Sequence, residues 1–273
     1  MGTRIDTDRY RIAPGSTVDL AALPTEDHHR HDLSKGDAKD LLDDLTGRLA
    51  ELQEVLWAQH RHRILVVLQA TDTGGKDGTI RHVFGPLNAQ GVRVVGFKAP
   101  TPDELAHDFL WRVHERVPGD GEIVVFNRSH YEDVLVPRVH HLVPDDVWRR
   151  RFDHIRHFEA LLADEGTTIV KFFLHITKDE QRERLQARLD DPTKHWKFDS
   201  HDLDERRHWD DYQAAYADVL AETSTARAPW YAVPADKKWF RNLVVAQVMV
   251  DLLESLDLAY PPAEPGLEDL VIE

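Results

Sequence analysis

The sequence contains no cysteine, which removes disulfides, thiolate metal sites, iron–sulfur clusters and a cysteine nucleophile from consideration and fits a reducing compartment. It also lacks any apolar run of the length that a signal peptide or a membrane span requires. The expected location is the cytoplasm, with no membrane partner. A third shortage is positive charge: 34 Lys and Arg stand against 49 Asp and Glu, a formal net charge of -15. That balance argues against nucleic acid as a partner. A polyanionic substrate would need a local basic channel set against the global charge, because charges more than about 8 Å apart are screened in physiological salt. No internal repeat, low-complexity tract or linker divides the chain, so residues 1–273 are expected to form one domain. Within it we distinguish an arm and helix (1–60), a core (61–258) and a tail (259–273) rich in proline and acids.

What is present is a pattern of short apolar runs alternating with helical ones. Ser34 with Asp37 reads as a helix start of the capping-box kind, with Asp in place of the usual Glu. Leu41, Leu42, Leu45, Leu49, Leu52, Val55 and Leu56 follow at three- and four-residue steps, the stripe of an amphipathic helix. Strands are expected at Ile64 to Leu68, Val92 to Phe97, Ile123 to Phe126, Thr168 to Leu174 and Trp230 to Val233. Their hydrophobicity is continuous rather than alternating, which predicts burial on both faces and hence a parallel sheet covered by helices. Helices are expected over Gly78 to Gln90, Pro102 to Val117, Asp145 to Glu165, Lys178 to Leu189, Leu203 to Glu222 and Lys237 to Leu256.

The first predicted strand runs into Gln69-Ala70-Thr71-Asp72-Thr73-Gly74-Gly75-Lys76-Asp77-Gly78. A glycine-containing turn between a strand and a helix start can point its N–H groups at phosphate, with the positive helix end behind them. Gly74 and Gly75 allow close backbone approach, and Lys76 opens the helix where its ammonium reaches a transferring phosphate. The run departs twice from G-x-x-x-x-G-K-[ST]: Ala70 replaces the first glycine, and Asp77 replaces the hydroxyl that would ligate magnesium. Asp72 lies inside the loop, and a carboxylate beside phosphate is repulsive unless a divalent cation lies between them. The metal ligand is therefore expected to have moved into the loop.

A second constellation, Asn127-Arg128-Ser129-His130-Tyr131-Glu132-Asp133, follows the predicted strand Ile123 to Phe126. Polar groups at the carboxyl end of a buried strand fall where open α/β sheets bind ligands. Arg128 is the expected bidentate phosphate partner, and Asp133 the second candidate for the metal shell, with Glu132 nearby.

Asp72 to Gly78 and Phe126 to His140, together with Phe97-Lys98-Ala99-Pro100-Thr101-Pro102 and Asp190-Asp191-Pro192-Thr193-Lys194-His195-Trp196-Lys197, resemble the polyphosphate kinase 2 family. The similarity runs from about Ser34 to Leu256. It is closest to the branch (class III) whose members act on both nucleoside mono- and diphosphates, and the neutral Asn127 agrees with that branch. The resemblance implies a three-layer P-loop kinase fold of the thymidylate-kinase type: a mainly parallel five-stranded sheet, a helical lid and an N-terminal helical extension. It implies transfer of a terminal phosphoryl from inorganic polyphosphate to AMP, ADP or another nucleotide with Mg²⁺, or with Mn²⁺ in its place. A homo-oligomer, dimer or tetramer, is expected from the family and from the stripe on the first helix.

The expected roles follow. Asp72, Lys76, Arg128 and Asp133 are catalytic, with Asp72 and Asp133 on the metal. Thr73, Gly74, Gly75, Asp77 and Gly78 hold phosphate, joined by Arg81 on the following helix. Arg188, Lys194 and Lys197 come from a lid spanning about 180–210, where Pro192 bends the chain between two helical patterns. Lys98, Ala99, Pro100, Thr101, Asn127, Ser129 and Glu132 meet the nucleotide. His28-His29-Arg30-His31 resembles a metal cluster but lies in the irregular arm with no paired distant carboxylate in the sequence. Two alternatives stay open: a nucleotide kinase with a nucleoside triphosphate donor, since one fold serves both reactions, and a non-catalytic nucleotide-binding switch.

Overall fold

In the computed structural model, residues 4–31, 33–267 and 270–272 are described. Residues 1–3 and 32 of the expected arm, and 268, 269 and 273 of the expected tail, lie outside them. Helix α1 (Lys35–Gln59) opens with the expected capping box: Ser34 accepts from the Asp37 N–H at 3.2 Å, and the Asp37 carboxylate accepts from the Ser34 N–H at 3.2 Å. Strand β1 (Arg63–Gln69) leads through the glycine turn into a four-residue helix α2 (Lys76–Thr79), continued by a π-helical turn, Ile80–Phe84. Then come β2 (Val92–Gly96), the short helices α3 (Pro102–Leu105) and α4 (Trp111–His114), β3 (Ile123–Asn127), α5 (Glu132–Val139) and α6 (Asp145–Asp164). The chain continues through β4 (Thr167–His175), α7 (Lys178–Leu189), α8 (His201–Arg207), α9 (Trp209–Thr223), β5 (Trp230–Pro234) and α10 (Lys238–Glu254).

All four strand pairings are parallel, in the order β2-β3-β1-β4-β5. Alternate residues of β1 point to opposite layers. Ile64, Val66 and Leu68 join the cluster under α1 and α10, while Leu65 and Val67 join the one under α5, α6 and α9. Burial on both faces therefore holds for β1, but not for β2 at the sheet edge, where Val94 is 48% exposed. The stripe of α1 is buried against α10, through Leu45, Leu49, Leu52 and Leu56. It is thus used inside the chain and gives no support to a homo-oligomer.

Several expected helices are shorter, each for a local reason. The helix after the glycine turn ends at Gly85, next to Pro86, which cannot donate to the ladder. The run Pro102 to Val117 breaks into two because the Asp108 carboxylate accepts from the Leu110 N–H at 3.0 Å, competing with the backbone. The run Leu203 to Glu222 breaks at His208. Conversely, α5 was not expected, and Pro137 stands inside it. The proline deprives the Asp133 carbonyl of its helical partner, and Arg151 Nη1 supplies one at 2.6 Å. The arm is irregular but not loose: Ile5, Tyr10 and Leu20 are buried, and the Ile12 N–H donates to the Trp230 carbonyl at 2.8 Å.

Candidate active site

The sheet order puts β1 between β3 and β4, so the turns leaving β1 and β3 lie side by side at the carboxyl edge. The glycine turn closes with the Gly74 N–H on the Thr71 carbonyl, and Thr73 takes a left-handed φ of 62°. Lys76 is the first residue of α2, and its Nζ donates to the Ala70 carbonyl at 3.0 Å. Burial lowers its pKa, and Arg128 lowers it further. Arg128, also left-handed at φ 63°, is tied to the end of β1 by its N–H on the Leu68 carbonyl. Its guanidinium meets Asp72 at 3.0 Å and Glu132 at 3.6 Å. These two carboxylates, Glu132 foremost, raise its pKa. Asp72 and Lys76 thus converge on one cleft, although they come from opposite ends of the turn.

Two cavities meet there, of about 630 and 1360 Å³. Asp72, Arg128 and Asp202 line both and form the partition. The smaller cavity has an apolar wall from Phe97, Ala99, Pro100 and Leu135, with Lys98 and Tyr212 among its polar groups. The larger is cationic: Lys35, Lys39, Arg188, Lys194, Lys197 and Lys238 line it alongside the glycine turn. The segment from α7 to α8 spans both mouths, with Arg188, Lys194 and Lys197 over the larger cavity and His201 and Glu205 over the smaller. Arg188 pairs with Asp202 at 3.1 Å and Lys194 with Asp191 at 2.6 Å, so the acids interleaved with these cations are partly engaged by them.

Not every expected residue reaches a cavity. Arg81 is exposed on the helical turn and lines neither. Ser129 is fully buried and accepts from the Tyr131 N–H at 3.2 Å, shaping the bend beneath Arg128. Thr101 caps α3, accepting from the Glu104 N–H at 3.2 Å. Asn127 belongs to the larger cavity, where its amide donates to Asp77 at 2.8 Å. Asp133 lines the smaller cavity between two guanidinium groups, Arg112 at 3.4 Å and Arg151 at 4.0 Å. Arg138 pairs with Asp218 and stacks on Trp148.

Asp202 was missed, since nothing in its neighbourhood in the chain points to it. Its pKa is pushed up to about 6, first by burial and then by the Asp72 carboxylate. Two mutually repelling carboxylates on the partition are an all-oxygen donor set suited to Mg²⁺, which takes one or two carboxylates and leaves its other positions to substrate phosphates and water. Among the described residues the one cluster of three metal-ligating side chains is elsewhere: Glu26, His28 and His29. The histidines of the arm do have a carboxylate beside them, which also meets Lys237 at 3.6 Å.

Two arginines beneath the glycine turn were also missed. Arg184 donates to the carbonyls of Thr73, Gly74, Ala235 and Asp236, and Gln181 to that of Asp72 at 3.2 Å. Gln181, Arg184 and Arg188 fall at three- and four-residue steps on α7, a polar stripe that was readable in the sequence. Arg241 of α10 packs against Gly75, where a Cβ would lie 1.8 Å from Nη1. The second glycine therefore clears space for a guanidinium as well as for a ligand.

A parallel sheet flanked by helices, with a glycine turn at the end of its central strand and a half-buried lysine at the following helix start, has the architecture of a P-loop kinase. More narrowly, the family model "Polyphosphate kinase 2 (PPK2)" matches residues 32–260, and the chain belongs to that family. It is 55% identical to the AMP/ADP-polyphosphate phosphotransferase of Meiothermus ruber over 97% of this chain and 99% of that protein. It is 46% identical to the ADP-polyphosphate phosphotransferase of Rhodopseudomonas palustris, over 96% and 95%. The crystal structure of polyphosphate kinase 2 from Arthrobacter aurescens TC1 superposes with a TM-score of 0.94 at 45% identity, covering 98% of this chain and 96% of that one. No described helix is long and apolar enough to cross a membrane.

Proposed function

We propose that this chain transfers the terminal phosphoryl group of inorganic polyphosphate to AMP and to ADP, giving ADP and ATP. The carrying observation is the pair of unlike cavities sharing Asp72, Arg128 and Asp202. A cationic trough on one side suits a phosphate chain; a mixed apolar and polar pocket on the other suits a nucleotide. The name of the Meiothermus ruber enzyme supports the same donor and both acceptors, and that of the Rhodopseudomonas palustris enzyme the same donor with ADP.

In the proposed reaction an oxygen of the acceptor's terminal phosphate attacks the end phosphorus of the chain. The anhydride P–O bond breaks, and the shortened chain leaves with the electron pair. The acceptor is already an anion near neutral pH, so no strong base is needed, and catalysis is alignment and charge neutralisation. Lys76 and Arg128 hold the transferring group from two sides. Glu132 and Asp72 keep the Arg128 fork in place until phosphate displaces them. Phe97 and Lys98 to Pro100 form the wall for base and ribose. Asp72 and Asp202 are the residues that would hold Mg²⁺, which supplies charge neutralisation between the phosphates; Mn²⁺ fits the same oxygen set. Residues 178–207 act as the lid, and we place the enzyme in the cytoplasm as one catalytic domain, with a homo-oligomer resting on family resemblance alone.

The deciding experiment is donor exchange. AMP and ADP are incubated separately with Mg²⁺ and either long-chain polyphosphate or a nucleoside triphosphate. Product from polyphosphate is expected with both acceptors. Product from the triphosphate alone would make the protein an ordinary nucleotide kinase, and tight binding without product would make it a switch.

A further inference from the structure

Arg241 is 2% exposed and yet has no carboxylate within 4.0 Å among the described residues. Its Nε and Nη2 both donate to the Asn242 side-chain oxygen, at 3.1 and 2.8 Å, and Nη1 has no acceptor among the described residues. The nearest influential charge has the same sign: burial, then Arg184, pulls its pKa down to about 9. A buried cation without a counter-charge is unfavourable unless something else compensates it. Arg184, its neighbour, is satisfied by four backbone carbonyls and Glu180, so it reads as a clamp on the turn. Arg241 is not satisfied, and it lines the larger cavity directly beneath Gly75 and Gly78.

We propose that Arg241 is a phosphate ligand of the donor chain: its open Nη1 edge completes an anion subsite between the glycine turn and α10, taking a phosphate group of inorganic polyphosphate. This rests on the donor reading given above. The guanidinium fork is suited to bridging phosphate oxygens. Its neighbours in the cavity, Lys76, Arg184 and Lys238, are cations spaced along a trough, which matches a chain with charge on every unit better than a single nucleotide tail. Because Arg241 is desolvated, its contribution is screened by salt far less than that of an exposed trough residue such as Lys194, whose side chain is 52% exposed.

The test uses the full chain and inorganic tripolyphosphate, without nucleotide or metal, followed by calorimetry at low salt and at about 0.5 M KCl. Loss of a charge-assisted contact predicts binding weakened about tenfold or more in Arg241→Met at both salt concentrations. Lys194→Ala should weaken it only at low salt. In the full reaction the KM for polyphosphate should rise by a similar factor while the KM for AMP stays within about twofold. Tripolyphosphate affinity unchanged in Arg241→Met would overturn the assignment, as would equal rises in both KM values, which signal a distorted turn. If Arg241→Met does not fold, the wild-type protein decides: its Arg241 Nε–Hε resonance, identified by its loss in Arg241→Lys, should move on saturation with tripolyphosphate. A stationary resonance overturns the proposal. A wild type inert with polyphosphate sinks the donor reading, and the tripolyphosphate titration still settles Arg241 separately.

Discussion

Enclosed cations in the same α/β body are treated in two opposite ways. Lys171, in the middle of β4 and fully buried, donates to Glu159 at 2.6 Å, to Tyr131 Oη at 2.9 Å and to the Thr223 carbonyl at 2.8 Å. Glu159 in turn accepts from Tyr131 at 2.7 Å. All three ammonium protons have acceptors, and the charge is neutralised inside the chain. Beneath the glycine turn the pattern reverses: Arg241 and Lys76 are enclosed with only neutral oxygens as hydrogen-bond partners. The difference separates structure from function. A buried charge that the fold completes holds the fold together, and one that the fold leaves incomplete marks where a ligand of opposite charge belongs.

That contrast can be tested from its largest consequence downward. Lys171→Met should destabilise the protein by about 3–5 kcal/mol, because Glu159 is left buried without its ammonium partner, and Glu159→Gln on top of it should recover much of the loss. Chemical denaturation reads this; a loss under 1 kcal/mol would show the two sites to be alike. Lys76→Ala should instead leave stability intact or improved and cut kcat at saturating substrates by about a hundredfold or more, equivalent to about 3 kcal/mol in the barrier. Near-native turnover in that variant, or in Asp72→Ala, would remove the catalytic assignment.

Asn127→Asp places a second carboxylate against Asp77 in the larger cavity. It should raise the KM for polyphosphate about threefold and leave the ratio of AMP to ADP turnover unchanged. A changed ratio would restore the expectation that position 127 selects the acceptor. The smallest effect concerns Asp202. Its carboxyl titrates at about 6 in the folded protein, above the ordinary value near 4. The folded state therefore binds this proton more tightly than the unfolded chain. The resulting contribution to stability is fully present below pH of about 4 and is lost as pH rises through about 6. Ligand-free Asp202→Asn should melt a degree or two higher than wild type near pH 8 and at the same temperature near pH 4. Equal melting temperatures across the range would mean that neither burial nor the Asp72 carboxylate raises this carboxyl.

The features legible in the sequence were those written in consecutive residues. Five strands, the capping box at Ser34 and Asp37, the glycine turn and the lysine at its helix start need only local periodicity and a few neighbours. Other features depend on which group each residue meets once the chain is folded. No helix was expected at α5, and its interior Pro137 is tolerated because Arg151 takes up the carbonyl it abandons. Thr101 and Ser129, expected at the nucleotide, accept from the backbone N–H groups of Glu104 and Tyr131.

By itself the sequence determined the parallel sheet with its helical cover and the place where an anion could be gripped, because burial periodicity and turn chemistry repeat over a few residues. Only the tertiary structure decided that Asp202, Arg184 and Arg241 gather around Asp72 and Lys76. They reach the turn from α8, α7 and α10, more than a hundred residues further along the chain. Sheet order sets which loops become neighbours, and no local pattern encodes which of many charged residues will be left there without a partner.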